Sequence, residues 1–289
     1  MRWSLYGAIL AALGLAWLDP GIQQSTPVVH YLVVFDLSLS MTVRDMDGRS
    51  RLEVARAYFR RVLPTLPPSA RLSLGGFVGK TVQIFLLEAP TDDPARIEAA
   101  LDLMDWRNAW DVGSRVDQAI EDVAHQMVGS PLRLLSGPRL GGYVRVLPTP
   151  LNVFFFTDGG GLDVRTESPE DVQAWLRRST RWTFIGVGRP WDSPVPDPDQ
   201  PGRCLQDPGG RCFTSRLNEE SLQAWARALE GRYVPRPDGP TLQRCFREGL
   251  RVGEPAPVRR RTGWVFALIA LGLFLADLGT NYRLGPIGR

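Results

Sequence analysis

Three short stretches of the chain carry the oxygen-bearing side chains from which a site can be built. Asp36, Ser38 and Ser40 form D-x-S-x-S directly after the apolar run His30 to Asp36 (HYLVVFD). Asp158 follows a second run, Leu151 to Thr157 (LNVFFFT), and opens D-G-G-G. Ser114 follows Gly113, just ahead of a helix expected to start near Arg115. Carboxylate and hydroxyl oxygens, with no nitrogen or sulfur among them, suit a hard divalent cation: magnesium first, calcium or manganese as alternatives. Two negative charges nearly neutralise such an ion, and these residues do not fill every coordination position. An unfilled position favours a carboxylate donated by a partner protein. Each stretch taken alone has a plainer reading, as a turn, a strand end or a helix cap. Asp111 lies nearby and reads more simply as a solvated loop charge. Taken together, the strand placement and order make Asp36, Ser38, Ser40, Ser114 and Asp158 the expected metal ligands.

Other chemistries have little to work with. His30 and His125, with Cys204, Cys212 and Cys245, offer no zinc-ligand spacing. There is no P-loop, no nucleophile elbow and no Ser–His pairing, so an enzyme is not expected. Metal-assisted hydrolysis by Asp36 and Asp158 is the minor alternative. The formal charge of +3, from 34 basic and 31 acidic residues, is too balanced for a dedicated nucleic-acid binder. Hydrophobic residues make up 44% of the 289, enough for a real core.

The elements that must position these residues alternate along the chain. The runs ending at Asp36 and Asp158 read as central, fully buried strands. Residues 71–77 and 81–87 read as a hairpin at the sheet edge, joined by Val78-Gly79-Lys80. A further strand is expected at 182–187 and a short one at Tyr233-Val234. Helices are expected at Leu52 to Leu63, 94–105, Val116 to Met127, 168–177, 218–230 and 240–250, the last burying Cys245. The pattern predicts an α/β fold, a doubly wound and mostly parallel sheet with one antiparallel edge strand. In such sheets ligands bind at the carboxyl ends of the strands, where Asp36 and Asp158 lie. Residues 189–203 hold five prolines and are expected to form a loop bordering that rim. Cys204 and Cys212 flank LQDPGGR, a turn-forming stretch that brings them close enough to bridge in an oxidising compartment; two free thiols are the alternative.

Two apolar segments flank this region. Trp3 to Leu18 is uncharged and reads as a signal anchor or a cleaved signal peptide, giving a 1–20 leader. Thr262 to Tyr282 contains one charge, Asp277, and reads as a transmembrane helix preceded by a basic linker at 251–261. Arg2 votes for export of the intervening residues, while Arg251 and Arg259 to Arg261 vote against it. The first segment usually dominates, so the expected location is the bacterial inner membrane with the domain in the periplasm.

The order of the three oxygen-bearing stretches, with Arg216-Leu217-Asn218-Glu219-Glu220 and LQAWARALEGRYV later on, resembles a von Willebrand factor type A domain with a metal-ion-dependent adhesion site. The likeness covers about residues 28–250. It implies a metal-dependent protein-interaction module and assigns the metal to Asp36, Ser38, Ser40, Ser114 and Asp158, with Ser114 where threonine is more usual. A narrower likeness rests on SMTVRDMDGRSRLEVAR and MDWRNAWDVGSRV. These pieces resemble the von Willebrand proteins of bacterial methanol-oxidation gene clusters (the MxaL and MxaC type). That likeness implies an accessory role in maturing, or loading metal into, a periplasmic quinoprotein methanol dehydrogenase. The Bat-type aerotolerance proteins share a similar D-x-S-x-S-M…D…R-L-E stretch and are the alternative.

Overall fold

The computed structural model describes residues 2–18, 22–78, 85–108, 115–127, 147–160, 170–248, 250–253, 255–260 and 262–282. The chain opens with α1 (Arg2–Leu18), β1 (Ile22–Pro27) and β2 (Val29–Asp36). It continues through α2 (Arg51–Val62), β3 (Ala70–Phe77), β4 (Phe85–Thr91), α3 (Pro94–Asp102) and α4 (Val116–Gln126). After β5 (Leu151–Thr157) come α5 (Glu170–Ser179), β6 (Thr180–Gly186), and two short strands, β7 (Ser193–Pro194) and β8 (Thr214–Ser215). The last elements are α6 (Glu219–Ala228), β9 (Arg232–Pro235), α7 (Gly239–Cys245), β10 (Pro255–Arg260) and α8 (Gly263–Tyr282).

The main sheet has the order β4-β3-β2-β5-β6-β9, with only β3 and β4 antiparallel. This is the mostly parallel α/β sheet with one antiparallel edge strand that the alternation predicts. From β2 the chain first builds outward to β3 and β4, then returns to β5 and builds the other way. The order therefore reverses between β2 and β5, and the crevice at their carboxyl ends is the switch point of the sheet. Phe35 lies in register with Phe156, so Asp36 and Thr157 end these two strands side by side.

Alternation along β2 and β5 divides the core into two layers. Tyr31, Val33, Phe35, Phe154 and Phe156 face Leu52, Ala55 and Phe59 of α2, Ile97 and Leu101 of α3, and Leu242 of α7. Leu32, Val34, Val153 and Phe155 face Ala119, Ile120 and Val123 of α4, Leu176 of α5, and Leu222 and Trp225 of α6. Because both faces of the sheet are covered, β5 is buried at every position and reads as an unbroken apolar run.

Several boundaries differ from expectation. The edge strand is described from Phe85 to Thr91, past the expected end at Leu87; Pro90 is tolerated there because an edge strand leaves N–H positions unpaired. Residues 79–84 lie outside the described residues, as does most of the expected hairpin turn. The last domain helix stops at Cys245, short of residue 250, with Phe246 as its C-cap. Cys245 is a buried free thiol in the α2-side layer, as its helical stripe suggested.

The chain divides into two compact units, Pro27–Glu254 and a second formed by Met1–Thr26 with Pro255–Arg289. In the second unit β1 pairs with β10, and α1 packs against α8 with Ala12 and Ala270 buried. Tyr6 Oη donates to Asp277 Oδ2 at 3.3 Å. Leu10, Leu13, Trp17, Trp264, Leu268 and Phe274 are exposed on this pair. Among the described residues no helix is long and apolar enough to cross a membrane; the segment expected at 262–282 folds as α8.

Candidate functional site

The carboxyl end of β2 turns sharply into a single 3-10 turn, Leu39–Thr42. Asp36 begins that turn: its Oδ1 accepts from Ser38 N at 2.9 Å. This bond swings the chain so that Ser38 Oγ and Ser40 Oγ come within 3.0 Å of each other. On the next strand Thr157 Oγ1 donates to Asp36 Oδ2 at 2.6 Å and accepts from Gly159 N. Asp158 is fully buried one residue further on, and its Oδ1 accepts from Gly160 N at 3.0 Å.

A second network lies behind Asp158. Arg51, with no exposed surface, donates from Nη1 to Asp158 Oδ2 at 2.7 Å. Its Nε and Nη2 hold Asp45, with Nη2 to Oδ2 at 2.6 Å. Ser215 joins the same cluster: its Oγ donates to Asp158 Oδ2 at 3.1 Å, and its carbonyl accepts from Arg51 Nη2. Arg189 N donates to the same Asp45 Oδ2 at 3.1 Å. Two glycines make room. A Cβ on Gly188, which has φ of +131°, would come within 2.8 Å of Arg51 Nε. One on Gly159, at φ +75°, would meet Asn218 O at 2.8 Å. Asn218 caps α6 with its side chain and donates its N–H to Asp158 O at 2.8 Å. The R-L-N-E-E segment thus pins the backbone of the Asp158 turn.

The charge balance is the informative quantity. Asp36, Asp45 and Asp158 are buried, and Arg51 is the one equally buried cation beside them among the described residues. With three acids against one base, two negative charges are left uncompensated at the rim. Burial, and secondly the nearby Asp158, push the Asp36 carboxyl up to about 6 against the pull of its hydrogen bonds from Ser38 and Thr157. Buried carboxylates held this way favour a cation, and the hydroxyls of Ser38 and Ser40 are suitable neutral oxygen ligands. The donor set therefore fits a hard divalent ion. By side chain type alone, no group of three or more His, Cys, Asp or Glu gathers as a metal cluster among the described residues.

Of the residues expected at the site, Asp36, Ser38, Ser40 and Asp158 come together at the switch point. Ser114 and Asp111 lie outside the described residues. The sequence reading missed Asp45, Arg51, Thr157 and Ser215. Arg51 left one legible signal: it is the first residue of α2, after the Ser50 cap, where a positive charge opposes the helix dipole. A base there calls for a carboxylate nearby. Ser215 lies 57 residues from Asp158, and nothing local to it announces the contact.

The loop after β6 borders this rim, as expected. β7 and β8 pair across it, Cys204 and Cys212 are bridged, and Val195 packs with Leu39 and Val43 of the turn that carries Ser40.

No family model matches the chain, and no curated protein does. Solved structures do match. The crystal structure of the conserved hypothetical protein BatB from Bacteroides thetaiotaomicron matches at 23% identity and TM-score 0.57, over 75% of this chain and 95% of that one. The crystal structure of an aerotolerance-related membrane protein from Bacteroides fragilis matches at 21% identity and TM-score 0.54, over 75% and 96%. The likeness is one of fold. Von Willebrand type A domains are also among the matches; one, from Catenulispora acidiphila, has 16% identity and TM-score 0.43 over 76% of this chain and 41% of that one.

Proposed function

We propose that the chain is a von Willebrand type A module of the Bat type that binds a protein partner through a divalent cation. Asp36, Ser38, Ser40, Ser114 and Asp158 hold the ion, magnesium in the first instance, and the partner donates a carboxylate to it. The observation that carries this reading is the buried excess of negative charge at the switch point, three carboxylates against one guanidinium. The two better structural matches bear the names BatB and aerotolerance-related membrane protein, which favours the Bat-type role over methanol dehydrogenase maturation.

The same proposal includes location. The exposed apolar side chains of α1 and α8 suit a paired helical anchor in a membrane, and the Cys204–Cys212 bridge suits the periplasm. The test is partner capture with the full chain as bait, with magnesium and with a chelator. Capture should need the cation and vanish in Asp36→Ala, whose circular dichroism should match wild type. Capture that ignores both the chelator and the substitution refutes the reading.

A further inference from the structure

Beside the rim lies a cleft of about 670 Å³. One wall is the turn from Leu39 to Arg44 with the first turns of α2, the second is Met104 to Arg107, and the third is the stapled loop from Pro194 to Cys204. The first wall includes Met41 and Thr42, directly after Ser40, so the cleft begins where the metal rim ends. Its lining mixes apolar and charged groups. Trp106, Pro194, Pro196 and Pro198 supply apolar surface, with the Arg107 guanidinium 4.9 Å over the Trp106 ring.

The charged groups are not evenly matched. Each acid in the lining is satisfied within its own loop. Glu53 accepts from Ser50 N at 2.7 Å, Asp105 from Arg107 N at 2.9 Å, and Asp197 from Asp199 N at 2.8 Å. The arginines keep spare capacity. Arg44 is exposed and forms no hydrogen bond or ion pair among the described residues. Arg56 carries five N–H donors. It uses one group, Nη1, on Met104 O at 3.1 Å, while its buried Nε has no acceptor. Glu53 responds to this surplus: its carboxyl lies below its ordinary range, first through the Ser50 hydrogen bond and then through Arg44 and Arg56.

We propose that this cleft binds an acidic, leucine-type peptide segment of a protein partner, with Arg44 and Arg56 taking its carboxylates and Trp106, Pro194 and Pro196 its apolar side chains. The proposal deepens the interaction-module reading and supplies what one metal-bound carboxylate cannot, a choice among partners. Two walls are held rigid. The Cys204–Cys212 bridge and the Val195 contacts with Leu39 and Val43 fix the loop, and Asp105 fixes the turn at Arg107. A preformed groove of this kind loses little entropy on binding.

The experiment uses the full chain and two fluorescein-labelled peptides, Gly-Glu-Leu-Asp-Leu-Glu-Gly and its Gln/Asn counterpart, read by fluorescence anisotropy. The acidic peptide is expected to bind at least tenfold more tightly. Arg44→Glu, at an exposed position that leaves the fold intact, should remove that preference, and so should Arg56→Gln. Magnesium binding by calorimetry should be unchanged in both variants. A preference that survives in a chelator but vanishes in Arg44→Glu upholds the cleft even if the metal reading fails. Equal binding of the two peptides, or a preference indifferent to both substitutions, overturns the proposal.

Discussion

Arg51 is the residue on which the electrostatics of the rim turn. It forms ion pairs with both Asp45 and Asp158 from a position with no solvent contact, and its removal strands two buried carboxylates. Breaking such a pair from one side costs about 3–5 kcal/mol. Arg51→Met is therefore expected to lower stability by that order, measured by urea unfolding. Arg51→Lys should recover only a part, because an ammonium cannot span Asp45, Asp158 and the Ser215 carbonyl as the planar guanidinium does. A Met variant as stable as wild type would mean the network is incidental. Gly188 makes the same point from the other side. A side chain there meets Arg51 at 2.8 Å in a backbone region that disfavours one, so Gly188→Ala should cost about 1–3 kcal/mol in the same assay.

The elements explain which part of this could be read from sequence. β2 and β5 are legible because burial on both faces forces unbroken apolar runs, and the acid ending each run marks the sheet rim. The pairing order was legible only as a class. Register and the switch between β2 and β5 depend on contacts far apart in the chain. The Arg51–Asp158 pair spans 107 residues and left only the oddity of a base at a helix start. Hence the turn of Asp36, Ser38 and Ser40 and the strand-end Asp158 were legible, and the Arg51 network behind them was not. The loop between β7 and β8 was expected from its prolines and cysteines, but its role as a brace was not. Ser215 ends that loop and holds Asp158, while the disulfide closes it eight residues apart in sequence. Replacing both cysteines by serine should cost about 2–3 kcal/mol in the chain-entropy view. It should also speed hydrogen exchange over residues 193–215 well before the sheet opens. Unchanged exchange there would show that the prolines alone fix the loop.

At the scale of the whole molecule, the residues Pro27–Glu254 contain both core layers and every described residue of the candidate site. A chain of residues 27–254 should keep the melting temperature of the same domain in the full protein, within a few degrees. It should also lose the vesicle flotation that α1 and α8 are proposed to give. A truncated chain that fails to fold, or that still floats, would contradict the division of labour between the two units. The claim on which the rest depends is that the crevice between β2 and β5 binds a divalent cation through Asp36. Calorimetric titration of the full chain with magnesium, beside Asp36→Ala, tests it most directly. The account predicts one magnesium ion per chain for wild type and no measurable heat of binding for a folded Asp36→Ala. Absence of binding in wild type at millimolar magnesium, or equal binding in the two proteins, would contradict it.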